Sequence, residues 1–407
     1  MYKPHTFCRA CDYGKPGAPG IKSAAPEKLI EVLDLGVQSL ANDFCAPGTE
    51  QAGYAPLKLM LCPKCGLGQL SVVVNPSILY RHYSYVTSPS DMMHDHFVQL
   101  MKDIAWESDG NTVLEIGSND GKLLAMMQEA SYSTMGVDPA ENLASLARSK
   151  GVPVTVGFFG SDLAKNLPVS DIVIARHVFC HVDDWHDFVK GLEAVSHKET
   201  LICIEAPYAE NTIKKCEFDQ VYHEHLSFLT IKSVMALLEN TNLRLHRIMR
   251  YAIHGGAVLL MLRRKDSSKT TIEAFSENIT VEDWKAFSVE ARNQIDRLRS
   301  TVRTLVAQGK RVAGLGASAK STVWINACGF TRKDIAFITD DTPQKQYTCS
   351  PGTDIPIVDP GAILRELPDY TVMWCWNFES ECLKKNEIYL SKGGKFIIPV
   401  PTIRIVP

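Results

Sequence analysis

Between Asn111 and about Leu262, short β-branched runs (TVLEIG, STMGVD, VPVTVG, DIVIAR, TLICIE, GAVLLML) alternate with amphipathic helical stretches. Strands separated by helices must cross over to reach one another, so this alternation predicts an α/β unit with a mainly parallel sheet. The polar stretch KDSSKTTIEAFSENIT follows, and then a helix with Thr280 as N-cap and Asp283 three residues on. Its apolar positions Trp284, Phe287, Ile295, Leu298, Val302 and Leu305 keep helical spacing, and Gly309 stops it. A second strand–turn–helix series (RVAGLGASAK, DIAFITDD, YTVMWCW, KFIIPVP) closes the chain. A length of 407 residues suits two or three domains. The expected division is a module over 1–75, an α/β domain over 76–265, and a linker helix with a second Rossmann-like domain over 266–407.

The first 65 residues hold Cys8, Cys11, Cys45, Cys62 and Cys65 of the chain's 12 cysteines, with few strong helix or strand patterns around them. The segment needs a staple. The start of the chain shows no apolar signal-peptide core, so a cytoplasmic location with reduced thiols is expected. Cys8-Arg-Ala-Cys11 and Cys62-Pro-Lys-Cys65 then read as two knuckles around one structural Zn²⁺, since four thiolates leave no open position for substrate. Cys45 is spare, and cysteines inside apparent strands, such as Cys203 and Cys375, are expected to be small core residues. With 43 basic against 46 acidic side chains, the net charge of −3 offers no basic stripe for nucleic acid or anionic lipid, and no apolar run reaches a membrane-spanning length. A small molecule is the expected partner.

Val113-Leu-Glu115-Ile-Gly117-Ser-Asn119-Asp120-Gly121 joins a strand to an apolar-periodic helix. Glycines there let the backbone turn tightly and approach a ligand. A second strand ends at Asp138, 21 residues after Gly117, the distance at which a carboxylate meets ribose hydroxyls in nucleoside-binding α/β domains. Asn119 and Asp120 replace the later glycines of G-x-G-x-x-G, which suits a ligand with an amino-acid moiety better than a pyrophosphate. The loop resembles the S-adenosylmethionine loop of class I methyltransferases. That resemblance implies that Glu115, Gly117, Asn119, Asp120 and Gly121 meet the methionine part, Asp138 the ribose, and Phe158 the adenine. A turn glycine and a core pair, Phe158 and Phe159, are the plainer alternatives.

Proton-moving groups concentrate in Arg176-His177-Val-Phe-Cys-His181, in Tyr222-His223-Glu224-His225 and at His254-Gly255-Gly256. The first two fall at or beyond the C-terminal ends of strands, where open α/β sheets bind ligands. In the second, Glu224 can orient an imidazole while Tyr222 donates to a developing oxyanion. A histidine metal site is a weaker alternative, because no carboxylate or cysteine at ligand spacing accompanies the pair.

Together the segments resemble the nucleotide-sugar C-methyltransferases of deoxysugar biosynthesis, almost end to end: CRAC…CPKC, YSYVTSPS, EIGSNDG, HVFCHVDDWHDF, EAPY, FDQVYHEHLSF, HGGAVLLML, VAGLGASAK, DDTPQKQ, SPGTDIPI and WCWNF. The resemblance implies S-adenosylmethionine and structural Zn²⁺ as cofactors and a nucleotide-diphosphate sugar as substrate, handled by a monomer or weak homo-oligomer. It implies that His225 removes the proton beside a ketone, that Tyr222, Glu224 and His181 bind or polarise the sugar, and that Tyr85 covers the methyl donor. His177, His254, Lys320 and Lys345 fall on the substrate side, the lysines toward phosphate. His177 and Ser321 depart from the family pattern of Asn and Gly. The reaction expected is methylation at C3 of a 4-keto-6-deoxy sugar through an enolate. Methylation at C5, a non-catalytic binding protein and, against the charge balance, a nucleic-acid methyltransferase are the alternatives.

Overall fold

In a computed structural model of the chain, the residues described are 1–15, 28–49, 51, 53–80, 83, 91–269 and 275–407. Its centre is a seven-stranded sheet. In spatial order the strands are Leu243–Tyr251, Ala257–Arg264, Ser196–Pro207, Ser170–Arg176, Thr112–Ile116, Ser133–Asp138 and Val154–Val156. The last five run parallel, with Val113 opposite Ile172 and Leu114 opposite Met135. Thr112–Ile116 has later strands on both sides. Its C-terminal end is therefore the topological switch point, where the crossovers diverge and leave a crevice.

The two remaining strands form an antiparallel hairpin at the edge. Leu243–Tyr251 (LRLHRIMRY) is not among the strands the sequence predicts. A register shift between Leu245 and Arg247 and a largely half-buried face break the alternation that would mark it. Helices Asp91–Glu107 and Lys122–Glu129 bury Phe97, Leu100, Ile104, Leu123, Leu124 and Met127 on one face of the sheet. On the other face, Trp185–Ala194 and Ile231–Leu238 pack with the same apolar cluster that contains Cys8, Cys62 and Cys65.

The amino-terminal segment is more regular than its sequence suggests. Ile30–Ser39, Tyr54–Leu61 and Gly68–Leu70 make an antiparallel sheet completed by Ser227-Phe228. Register shifts after Glu31 and after Asp34 move the apolar positions of IEVLDLGVQS off strict alternation, so its ten residues do not read as a strand. Ser227-Phe228 lies just beyond Tyr222-His223-Glu224-His225 and ties that segment to this sheet.

Thr280 and Asp283 form the expected reciprocal cap: Thr280 Oγ1 accepts from the Asp283 amide at 3.2 Å, and the Asp283 carboxylate accepts from the Thr280 amide at 2.8 Å. The helix runs from Val281 to Ala307 and buries Trp284, Phe287, Ala291, Ile295, Leu298 and Val302. That stripe packs against Leu59 and Leu61 of the amino-terminal sheet and against a second α/β unit. The second sheet has the order Ile357–Val358, Ile338–Thr339, Val312–Leu315, Tyr370–Met373, Lys395–Ile398 and Arg404–Val406, parallel except for the last strand. Its switch point lies beyond Leu315 and Met373, where the GASAK and WCWNF segments emerge. Among the described residues no helix is long and apolar enough to cross a membrane.

Candidate active site and zinc centre

The sulfurs of Cys8, Cys11, Cys62 and Cys65 all lie within 4.8 Å of one another, and none is in a disulfide. Cys8 and Cys65 are 3.4 Å apart, Cys11 and Cys62 3.7 Å. A tetrahedron with Zn–S bonds of about 2.3 Å has sulfur–sulfur edges of about 3.8 Å, so the four thiols fit one zinc ion and close its coordination. Each knuckle turns back on itself, Asp12 N donating to Cys8 O and Gly66 N to Cys62 O, with Gly66 at φ +77°. Between the first two cysteines, the buried Arg9 guanidinium donates to the carbonyls of Leu70 and Leu226 and meets Asp183 at 3.3 Å. The zinc centre thus reaches the residue that follows His225.

At the first switch point, Gly117, Asn119 and Gly121 all adopt positive φ. A Cβ on Gly117 would lie 2.6 Å from Val178 Cγ2, and one on Gly121 would lie 2.9 Å from Ala147 Cβ, so both positions exclude a side chain. Asp138 clamps the loop, accepting from Asn119 N and Ala140 N at 2.8 Å on separate oxygens, while burial raises its pKa. Each oxygen keeps lone-pair capacity for ribose hydroxyls. Phe158 follows the third parallel strand and is 47% exposed, its ring 6.5 Å from that of Tyr80. Beneath the loop Arg176 holds Glu115 by two contacts to Oε1, while the buried Oε2 lacks a donor. Burial lifts the Glu115 pKa to about 7 against the pull of Arg176. Asp120 pairs with Lys150 at 2.7 Å. The cradle, the clamped carboxylate and the exposed ring fit S-adenosylmethionine. Tyr85 lies outside the described residues.

The second cluster gathers four of the sequence-derived residues. His225 Nδ1 lies 2.9 Å from the Gln220 carbonyl, which can only accept, so the ring proton sits on Nδ1 and Nε2 is left as the acceptor. Tyr222 Oη donates to Nε2 at 2.6 Å. His181 packs edge-on to His225 with ring centroids 5.2 Å apart, and its Nδ1 pairs with Tyr80 Oη at 3.0 Å. Burial pushes the His225 pKa well below the usual imidazole value and that of His181 down to about 3, so both rings are neutral near pH 7. The Glu224 carboxylate accepts from Tyr83 Oη at 2.8 Å and Asn42 Nδ2 at 2.6 Å, while burial raises its pKa to about 7. Its partners are thus Tyr83 and Asn42 rather than an imidazole. Ligand atoms of Cys180, His181 and His225 also lie within 4.8 Å of one another, so a cysteine does accompany the histidines in space.

The remaining substrate-side residues disperse. His177, at φ +51°, places Nε2 2.8 Å from buried Glu205, whose other oxygen meets His96 at 2.8 Å. His254 belongs to the short helix Ile253–Gly255, and its side chain lies outside the described residues. Lys320 is 6.0 Å from the Trp376 ring centroid. Lys345 is buried, donates to Ala317 O at 2.8 Å and lies over Phe44 at 5.2 Å, so in this state it braces the GASAK loop. Sequence reasoning missed Asn42, Tyr80, Tyr83 and Arg9. Tyr80 and Tyr83 belong to an aromatic run without periodicity, and Asn42 contacts Glu224 across 182 positions, leaving only the local density of tyrosines as a signal.

Glu217 offers a stability test. It is buried, its Oε1 lacks a hydrogen-bond donor, and burial, followed by the Asp219 charge, raises its pKa from 4.5 to about 7. The folded state then holds this proton more tightly than the unfolded chain, so stability falls as pH rises from 4.5 to about 7, by about 3 kcal/mol at most. Urea unfolding at pH 5 and pH 8 should show Glu217→Gln losing less stability over that interval than the natural protein. Equal losses would place Glu217 at an ordinary pKa.

The doubly wound sheet, the loop at its switch point and the four-cysteine centre define a class I S-adenosylmethionine-dependent methyltransferase that carries zinc. Residues 93–248 match the family described as "Methyltransferase domain", residues 252–401 "C-methyltransferase C-terminal domain", and residues 24–80 "Putative zinc binding domain". The C-methyltransferase NovU of Streptomyces niveus is 30% identical over 425 residues, spanning 100% of this chain and 98% of its own. The chain belongs to this C-methyltransferase family and is an S-adenosylmethionine-dependent enzyme. Similar solved structures include magnesium protoporphyrin IX methyltransferase from Synechocystis PCC 6803 with bound SAM, 15% identical over 43% of this chain and 82% of that one, with TM-score 0.33. A SAM-dependent methyltransferase from Thermotoga maritima is 18% identical over 42% of this chain and 89% of that one, with TM-score 0.34.

Proposed function

We propose that the enzyme methylates C3 of a 4-keto-6-deoxy nucleotide sugar through an enolate, with residues 266–407 holding the nucleotide part. A C–H carbon becomes nucleophilic only when a neighbouring carbonyl accepts its electron pair, so C-methylation needs a base and oxyanion donors on one ketone. The observation that carries the reading is the geometry of His225, with Nδ1 on the Gln220 carbonyl, Nε2 2.6 Å from the Tyr222 hydroxyl and His181 beside it. When the sugar enters, Tyr222 transfers its O–H from Nε2 to the ketone oxygen. This frees Nε2 to take the C3 proton, while His181 supports the developing oxyanion. Bound S-adenosylmethionine supplies an electrophilic methyl on its sulfonium. Asp138 and the Gly117–Gly121 loop orient that donor, and the aromatic enclosure of Tyr80, Tyr83 and Tyr222 limits water access. Glu224, fixed by Tyr83 and Asn42, accepts from a sugar hydroxyl. By the same reading Tyr85 covers the donor, His177 and His254 border the sugar, and Lys320 meets the diphosphate, joined by Lys345 once it leaves the Ala317 carbonyl.

The test is mass spectrometry of the protein with S-adenosylmethionine and a panel of 4-keto-6-deoxy sugars linked to thymidine, guanosine, cytidine or uridine diphosphate, in ordinary and deuterated water. The expected product gains one methyl at C3, and sugar left unmethylated in deuterated water is expected to carry deuterium at C3. A methyl at C5 would move the reaction to the other side of the ketone. Methyl transfer to oxygen or nitrogen would remove the enolate.

A further inference from the structure

Asp219 is fully buried between the two α/β units, in the short helix Phe218–Gln220 that precedes Tyr222. Its Oδ2 accepts from two indoles, Trp324 Nε1 at 3.0 Å and Trp376 Nε1 at 2.7 Å. Both tryptophans come from the second switch point. Trp324 lies on the helix Ala319–Cys328 that follows the GASAK loop, and Trp376 follows Tyr370–Met373. Phe218 stacks edge-on against Trp324 at 4.3 Å. The next residue, Gln220, supplies the carbonyl that receives His225 Nδ1–H. An imidazole keeps a reactive Nε2 lone pair only while its proton is held on Nδ1, and the acceptor facing Nδ1 decides this.

We propose that Asp219, clamped by Trp324 and Trp376, is a positioning residue that fixes the tautomer of His225 through the Gln220 carbonyl, so that the carboxy-terminal unit sets the state of the imidazole. For its catalytic meaning the inference rests on His225 being the base. The two indole N–H groups hold Asp219 in place, and the Gln220 carbonyl follows one residue on in the same short helix. Movement of the GASAK or WCWNF segment on nucleotide binding therefore reaches Nε2 without either indole touching the histidine. The carboxylate acts here as an acceptor fixed in place, and an amide at the same position keeps an oxygen that can accept from both indoles.

The tautomer can be read directly from the side-chain nitrogens of full-length, zinc-loaded protein labelled with ¹⁵N-histidine, with His225→Asn assigning the signal. The natural protein is expected to show His225 as the Nδ1–H form. Trp376→Phe and Asp219→Ala should move the tautomer ratio toward Nε2–H by about tenfold, the scale of one hydrogen bond. Asp219→Asn should largely restore the natural signal, which a purely structural loss would not do. Trp376→Phe keeps most of the packing volume and serves if Asp219→Ala does not fold. Folded Trp376→Phe protein that keeps the Nδ1–H form unchanged would overturn the proposal, as would an Asp219→Asn signal identical to that of Trp376→Phe. A natural tautomer in an enzyme whose His225→Asn variant turns over normally would instead retire the base assignment and leave the positioning effect standing.

Discussion

Replacing His225 by asparagine is expected to lower methyl transfer by about 10³-fold and to leave S-adenosylmethionine affinity unchanged. The two effects separate because the residues assigned to the methyl donor, Gly117, Asn119, Gly121 and Asp138, are braced by Val178, Ala147 and Ala140 and not by the imidazole. Asparagine is close in size but has no basic nitrogen, so proton removal fails while Tyr222 still finds an acceptor. Calorimetry with S-adenosylmethionine and exchange of the substrate proton in deuterated water read the two halves independently. Loss of methyl transfer with persistent exchange would give the proton to another group, and a rate near that of the natural enzyme would take His225 out of the mechanism. The pH profile adds a second check. Because burial holds the His225 pKa well below 6.5, turnover should not fall through an ordinary histidine titration near that pH.

A neutral, buried imidazole is a weak base. The difficulty moves to the ketone, whose acidity must be raised by donors that strengthen as charge develops on oxygen. In the proposed reaction Tyr222 would meet that demand, because its hydroxyl can exchange one acceptor for another over a short distance. Tyr222→Phe should therefore lose both exchange and methylation, unlike a change at the methyl-donor loop, which should lose methylation alone.

The sequence carries the parts of this site that are local and hides those that are not. EIGSNDG, Asp138 and the two C-x-x-C knuckles are legible because their spacing follows from one turn or one strand–helix–strand unit. The segment from Tyr222 to His225 is legible because polar residues crowd there without periodicity. Asn42, Tyr80 and Tyr83 are invisible for the opposite reason: only packing of the amino-terminal sheet on both α/β units brings them to Glu224. The strand Ile30–Ser39 is obscured by two register shifts, and Leu243–Tyr251 by one. Asp219 reads as one more acid in FDQ until Trp324 and Trp376 close over it from 105 and 157 residues away.

Removing zinc should do more than loosen the amino terminus. Structural zinc contributes roughly 10–16 kcal/mol to folding of small cysteine modules, as much as or more than the net stability of an ordinary domain. Here the thiol cluster is part of a larger core, since Cys8, Cys62 and Cys65 pack in one cluster with Trp185, Leu229 and Ile231. Without the metal, four thiols crowd within 4.8 Å with no ion to balance them, and the turn carrying Arg9 loses its anchor. Arg9 holds the Leu226 carbonyl, and Leu226 is adjacent to His225. Chelation or Cys62→Ser is therefore expected to lower the melting temperature sharply and to abolish turnover. Hydrogen exchange should rise over Tyr54–Leu70 and through 222–229, while Lys122–Glu129 stays protected. Elemental analysis of the natural protein should give about one zinc per chain. If the metal-free protein kept its melting temperature while exchange rose only around the knuckles, the zinc centre would be a local clasp, and the link through Arg9 to His225 would fail. If exchange rose equally over the whole seven-stranded sheet, the metal would hold the global fold, and loss of turnover would say nothing particular about His225. Only the intermediate pattern, with the far face of the sheet protected and the Tyr222–His225 segment opened, matches a metal that supports His225 from one side.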